Sequence, residues 1–594
     1  MNPLLLFSLE KFNRLCLIIN TLLYVRVSQL FFLCLRRSFR RAPAKVKAPK
    51  RAKQKVFSIP LVDRAPAKLS STHFRCFGEC LSYSDFAIKW DSAELSDLAR
   101  FHLHYFDFLR RDDIDFTYQL QLIHDWIDKC DFSNKFAWDP FTASLRVVNW
   151  IAWCERRDYR CNRIDESLHS QLSFISENDE RELLANHYFE NLKALLIGAL
   201  YFDTAESKEW KVKSIDNLMK QLDEQFLADG GHYERSPFYH VIMTENLLDI
   251  ENALQARSSE FAHLNRLLSI KAERALEFLA DIRFPDGSIP LFNDSVLNAA
   301  SSPDQLFDYA RKLGLQSAIS VREVVDRPDT GIFAVRAGDD MLAFNVCSIG
   351  PPYQPGHTRN DMLSVEVMLR GRRLFTNSGV FTYAVTAERA WCRSTAAQNT
   401  AQVGDLEQSE IWSSFRLGRR ASVLRAGVEE ASGTETVLSG KIIGGFAGRF
   451  SRRACYEHSR SIVVGRSHLG LSSIDVIDKI RVLEERLKVC PVHVRYLVGP
   501  NFSVIRVGHT TFEVLFEGES RARVTFSSSG SDMVCEMQAA VFSCGFGEKS
   551  DATRIECTVS HRDDLQVTAR IEAFSEAESA VPPILTTPVL TSAG

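Results

Sequence analysis

The chain has 594 residues, 45% of them hydrophobic, with a formal net charge of −3 and a pI near 6.6. That length exceeds one ordinary core and sets two or three domains as the expectation, of which the patterning below selects two. A near-neutral balance excludes the strongly basic nucleic-acid binders, so no nucleic-acid partner is expected and any anionic ligand has to be held by a local patch.

The run from Leu15 to Leu35 is apolar, but Arg26, Ser28 and Gln29 interrupt it. A charge at mid-bilayer costs about 2.5–3.5 kcal/mol on insertion scales, so residues 1–35 read as amphipathic helices instead of a span. The length of the run, its non-basic start and the lack of a clean small-residue cleavage site argue against a signal peptide. From Arg36 to Lys55 ten basic residues stand with no acidic one, interleaved with Ala and Pro. Such a stretch cannot offset the entropy of ordering, and 36–60 reads as a solvated linker. It is either a plain tether or a segment drawn to an anionic membrane surface or polymer.

Between about Glu94 and Leu315 apolar residues recur at three- and four-residue spacing, as in Leu120–Ile127, Ser144–Trp153, Leu183–Leu200 and Glu245–Leu254. Gly and Pro punctuate the gaps, so 61–325 is expected to be a helical domain of repeated hairpins, a toroid or a solenoid. After Arg327-Pro328 the period falls to two, in Ile332–Val335, Leu342–Val346, Leu363–Leu369, Ile462–Val464, Val492–Leu497 and Val504–Val507. Many short strands at close spacing imply an antiparallel β-sandwich over 326–575. Residues 576–594, with Pro582, Pro583 and Pro588, lack any period and read as a disordered tail. The fourteen cysteines are scattered, Cys76 and Cys80 being the only close pair, which reads as mostly free buried thiols.

Four constellations could carry chemistry. Asn186-His187-Tyr188-Phe189-Glu190-Asn191 opens an apolar helical stretch, with Asn186 and Glu190 on one face at i,i+4. An amide, an imidazole and a carboxylate there need partners, either in a structural network or in a site. The second, Asp229 to His240, packs two imidazoles, two phenols, Glu234 and Arg235 around a glycine turn and Pro237, a composition typical of site-lining loops. Its Tyr233 and Tyr239, taken singly, are more often core residues than catalysts, and only the clustering argues otherwise. The third, Pro355-Gly356-His357-Thr358-Arg359-Asn360-Asp361, presents His357 at a turn. In the fourth, Arg389 to Thr400, Arg389 and Arg393 could clamp a carboxylate through the guanidinium fork or pair with surface acids. No phosphate loop, nucleophile elbow or His-Glu-x-x-His helix is present. A glycosidase would need two carboxylates at the bond, and no spacing among the many acids, Asp286 and Asp294 included, selects a pair.

In this order, on a helical half followed by a β half, these motifs resemble the heparinase II/III family of polysaccharide lyases from about Ser92 to Arg420. The likeness rests on Asn186-His187 with Glu190, Glu234-Arg235-Ser236-Pro237 leading to Tyr239, Pro355-Gly356-His357, Asn377-Ser378-Gly379, and Ser394 through Thr400. Upstream, His102-Leu103-His104-Tyr105-Phe106 and Ser144-Leu145-Arg146 through Asn149-Trp150 look like the branch associated with bacterial surface-polysaccharide loci. The resemblance implies an incomplete (α/α) toroid on a β-sandwich, with β-elimination next to a uronic acid of an acidic polysaccharide in the cleft between them. Asn186 and His187 would neutralise the uronate, Tyr239 or His357 would take the proton, a Tyr would protonate the leaving oxygen, and Glu190 would orient the imidazole. Arg235, Arg359, Arg389, Arg393, Tyr383 and Trp391 are the expected substrate-binding residues. Metal-bearing members would have histidine two positions after His357, aspartate before the Ser-Gly pair and histidine before Asn399-Thr400. Here stand Arg359, Asn377 and Gln398, so no metal and no cofactor is expected. A glycoside hydrolase of an acidic exopolysaccharide and a non-catalytic polysaccharide-binding or assembly protein are the alternatives. The resemblance points to the cell envelope or periplasm, whereas the cysteines and the lack of a clean signal peptide lean towards the cytoplasm.

Overall fold

The architecture is that of a computed structural model, which describes residues 3–574 apart from 64–65, 85–86, 256, 258, 316–320, 449–450 and 561–563. The expected tail, 576–594, lies outside the described residues.

An N-terminal helical domain is followed by two antiparallel β-sheets. The helices that build the site are Pro140–Arg156, Ala185–Tyr201 and Pro237–Gln255. Asp139 starts the first by accepting from the backbone N–H groups of Phe141 and Thr142, with Pro140 in the first turn where a missing N–H costs nothing. Ala185–Tyr201 packs against Pro140–Arg156, Pro237–Gln255 and the neighbouring Ala205–Gln225, so only His187 and Ala199 along it escape full burial. Its interior charges must therefore be paired: Lys193 Nζ lies 3.0 Å from Glu190 and 3.4 Å from Asp249.

Not every segment follows the sequence expectation. A small three-stranded sheet, Ala67–Leu69, His73–Cys76 and Glu79–Ser82, precedes the helices inside the region read as helical. The segment 36–60 is not a solvated linker. Arg41 pairs with Glu177, Lys50 with Asp203 and Arg51 with Asp165, while the backbone of Val56 and Phe57 donates to Glu155. The acids on the outer face of the helical domain cancel the repulsion that would keep this segment extended, and Val56 is fully buried. Ahead of it lie helices Pro3–Leu22 and Val27–Ser38, with a bend of 116° between Phe12–Leu22 and Val27–Ser38. Among the described residues no single helix is long and apolar enough to cross a membrane. All fourteen cysteines are unpaired.

The β domain contains a nine-stranded and an eight-stranded sheet. Strands Ile332–Ala337, Asp340–Asn345 and Ser364–Leu369 of the nine-stranded sheet are neighbours, and the last two are buried on both faces. Period two explains how: Ala334, Met341, Ala343 and Met368 join the core of the helical domain, whereas Phe333, Leu342, Phe344, Val365 and Val367 join the core of the sandwich. One sheet thus serves two cores, and the loops at the ends of its strands are held against the helical domain.

A candidate active site at the domain junction

The helical wall starts from two residues in left-handed backbone, Leu184 at φ 61° and Ala185 at φ 52°. They turn the chain so that Asn186 addresses Glu234 twice, through its backbone N–H at 3.3 Å and its side-chain amide at 3.1 Å. An amide nitrogen carries two hydrogens, so Asn186 retains a donor beyond that bond. His187 is about one-third exposed; its Nδ1 lies 3.1 Å from Glu180 and its ring rests 4.6 Å from that of Phe141. Burial opposes a charge on this imidazole, but Glu180, with Asp139 and Glu234, overcomes it and lifts the pKa to about 8. Burial, reinforced by Glu180, pushes Asp139 up to about 6 against the pull of His187 and Arg36.

The loop before Pro237 links this wall to the sheet. Gly230 sits at φ 90°, and a Cβ there would lie 2.3 Å from the Arg274 carbonyl oxygen, so only glycine fits. Asp229 accepts from the backbone N–H and the hydroxyl of Thr330, and Arg235 donates to the Thr330 carbonyl at 2.6 Å. With the loop anchored to the β domain, Glu234 points at Asn186 and Tyr239 at His357.

The β wall is centred on His357. Its ring stacks on Tyr239 with centroids 3.8 Å apart, and the Tyr239 hydroxyl lies 3.1 Å from that of Tyr383. Nδ1 of His357 is 3.3 Å from Asp294 and Nε2 is 3.6 Å from Glu234, which therefore bridges both walls. Asp294 is clamped by Arg389 through two bonds of 2.7 and 2.6 Å. Burial opposes its charge, but Arg389 and the His357 contact hold it well below the usual carboxylate range. Burial, the Tyr383 hydroxyl and the charges of Glu234 and Asp294 push Tyr239 well above the ordinary phenol value, and burial also raises Glu234. At neutral pH the Tyr239 hydroxyl therefore keeps its proton.

Asn186, His187, Tyr239, His357 and Tyr383 are thus brought together, and other expected members are not. Glu190 is fully buried in the helical core, where it accepts from Asn246 and pairs with Lys193. The partner of His187 is Glu180, seven residues before it, because the loop ahead of the helix folds back over the first turn. The arginines expected to bind substrate are committed elsewhere. Arg359, almost wholly buried, donates to the Gly379 and Leu291 carbonyls at 2.6 and 2.7 Å. Gly379 is itself obligatory, since a Cβ there would meet the Ser543 oxygen at 1.6 Å. Arg393 donates to the carbonyls of Thr358, Ser413 and Ser414, Arg389 holds Asp294, and Arg235 ties down its loop. Guanidiniums committed in this way to carbonyls and to Asp294 pin loops and do not reach a polymer. Trp391, half-buried on the helix Ala387–Arg393, does not join the ring cluster among the described residues. The upstream motif is interior scaffolding: Arg146 donates to Gln171 and to the Ala137 and His104 carbonyls, and Asn149 to Tyr105 and Asp107.

Zinc does not suit the three positions where metal-bearing relatives are expected to hold it. Arg359 is used as above, the Asn377 amide donates to Ser364, and the Gln398 amide donates to the Cys392 and Ser394 carbonyls. A guanidinium and two bonded amides offer no anionic or imidazole ligand. Glu180, Asp294 and Asp139 were not singled out from sequence as site residues; a carboxylate shortly before Asn186-His187 was the one available signal. A cavity of about 270 Å³, lined in part by Phe57, Ile59, Arg110 and Trp153, lies away from this cluster.

Comparison with known proteins settles the lineage on both sides of this junction. The heparinase II/III N-terminus family model matches residues 110–313, and the heparinase II/III-like C-terminal model matches 320–575. The chain belongs to the heparinase II/III family. A heparin-sulfate lyase of Pedobacter heparinus is 24% identical over 293 residues, covering 45% of this chain and 44% of that protein. One from Bacteroides stercoris is 24% identical over 251 residues, 38% of this chain and 37% of the relative, so each match spans less than half of the relative's length. In fold the chain is similar to a crystal structure of heparinase III, with a TM-score of 0.65 at 15% identity over 83% of this chain and 80% of the other. It is also similar to heparan sulfate lyase HepC from Pedobacter heparinus, with a TM-score of 0.55 at 16% identity over 92% and 88%.

Proposed function

We propose that this protein is a polysaccharide lyase that cleaves an acidic, uronate-containing polymer by β-elimination at the junction of its two domains. The observation that carries the reading is the stacked pair of Tyr239 and His357, one ring from each domain, beside His187 and its Glu180 partner.

The chemistry asks for such a pair. A proton next to a carboxylate leaves only when the carboxylate's charge is offset and the enolate-like charge that forms is met by fixed donors. His187, charged below about pH 8, and the remaining Asn186 donor supply that offset. With Tyr239 held protonated by its surroundings, His357 takes the proton and Tyr239 donates to the departing glycosidic oxygen, its hydroxyl steadied by Tyr383. Asp294, fixed by Arg389, orients the His357 ring. The envelope of a bacterium that makes or degrades surface polysaccharide is the setting this substrate class suggests.

The test is the ultraviolet absorbance of an unsaturated uronate on mixing the purified protein with a panel of acidic polysaccharides. A rise that Tyr239→Phe and His357→Ala both abolish supports the proposal. New reducing ends without that absorbance mean hydrolysis instead, and binding without cleavage means an assembly or binding role.

A further inference from the structure

The N-terminal helices face the wrong way for a soluble protein. Along Pro3–Leu22 the exposed large apolar side chains among the described residues are Phe12, Leu15, Ile18, Ile19 and Leu22, and along Val27–Ser38 they include Val27, Leu30, Phe31 and Leu35. Both sets follow the i, i+3, i+4 rhythm of one apolar helix face, yet that face is turned to solvent, with Leu15 52%, Val27 83% and Phe31 58% exposed.

The polar faces are the ones in contact with the protein. Thr21 donates to the Leu417 carbonyl and accepts from Trp412 at 3.0 Å; Asn20 donates to Glu410. Gln29, buried, donates to the Glu182 carbonyl in the helical domain and the Tyr353 carbonyl in the β domain. Arg36 pairs with Glu182 and lies 3.8 Å from Glu180, the partner of His187.

Charge decides what covers the apolar face. The first 55 residues hold thirteen Lys and Arg and a single acid, Glu10, a charge of +12. The whole chain carries −3, which leaves −15 for the rest. Several of these cations are paired to the helical domain, but Arg14 and Arg37 on the two helices, and Lys45, Lys47 and Lys53 in the segment that follows them, are exposed. An acidic polymer would satisfy the cations and leave the leucines wet. A second copy of this chain would bring a second cationic patch against the first. A bilayer surface with anionic headgroups satisfies both features.

We infer that the helix pair Pro3–Leu22 and Val27–Ser38 docks the protein, lying flat, on an anionic lipid bilayer. Because its inner face bridges both domains next to Glu180, docking fixes the site at a set side and distance from the membrane. The inference is independent of the reaction the site performs.

The experiment is cosedimentation of the full chain with vesicles of phosphatidylcholine alone or with about one-third phosphatidylglycerol, at low and high salt, alongside sedimentation velocity without lipid. The expected result is binding to the anionic vesicles that weakens with salt and falls at least tenfold in Leu22→Glu/Phe31→Glu. Val489→Glu, at an exposed apolar position on the β domain, should bind as the parent does, and circular dichroism should show both variants folded. No binding, binding unaffected by the double substitution, or a lipid-free dimer that the substitution dissolves would each overturn the inference.

Discussion

The two walls of the site use cations in opposite ways. On the helical wall the charge is on His187, partly exposed, raised by the Glu180 carboxylate and available to a ligand. On the β wall the more strongly basic Arg359, Arg389 and Arg393 are buried and spent on carbonyls and Asp294. The difference teaches that residue type does not identify a substrate contact. In the proposed mechanism a weak base at the surface, charged by its neighbour, serves recognition, whereas the strong bases hold loops.

Breaking the pair that joins the walls should have the largest effect. Tyr239→Phe or His357→Ala should lower kcat by about 10²–10⁴-fold with little change in melting temperature, read by unsaturated-uronate formation and calorimetry. Breaking the β wall alone should cost stability: Arg389→Ala strands Asp294 without its partner and should destabilise the fold by about 3–5 kcal/mol in denaturant titration. A substrate-binding arginine would raise KM and leave the midpoint alone.

Smaller effects sharpen the helical wall. Because the folded pKa of His187 is raised from 6.5 to about 8, the stability its charge contributes is fully present below 6.5 and is lost as pH rises through 8. Activity should fall over the same alkaline limb. Glu180→Gln should move that limb to lower pH by roughly one unit, seen also in the NMR titration of His187. Glu190→Gln, acting in the separate core network, should leave the titration of His187 where it is. Parent-like pH profiles for Glu180→Gln would remove Glu180 from the site.

Much of this arrangement was legible in the sequence. Helical periodicity located the stretches around Leu120, Ser144 and Glu245, and period two located the strands at Ile332 and Leu342 that share themselves between two cores. Asn186 and His187 stood out because a polar cluster heading an apolar run needs partners, and Tyr239 and His357 because they lie in a clustered loop and a glycine turn that match the family's motifs. The partners themselves did not stand out. Glu190 sits at a favourable helical spacing from Asn186, but spacing says nothing of a loop folding back, which is what delivers Glu180. The arginines looked like a clamp because exposure is a tertiary property, absent from a string of residues. The basic run from Arg36 resembled a free tether because the acids that seat it, such as Asp165 and Asp203, lie more than a hundred residues away.

Three site residues have a non-glycine neighbour in left-handed backbone: Ala185 before Asn186, Arg235 after Glu234 and Asn293 before Asp294. Such conformations cost of order 1–3 kcal/mol each. A glycine at 185 would relax this locally, yet it would also widen the range of directions in which Asn186 can aim its amide. The protein therefore sits on a trade-off between robustness and aim, and laboratory selection for thermal tolerance alone should drift towards glycine at 185 while turnover declines.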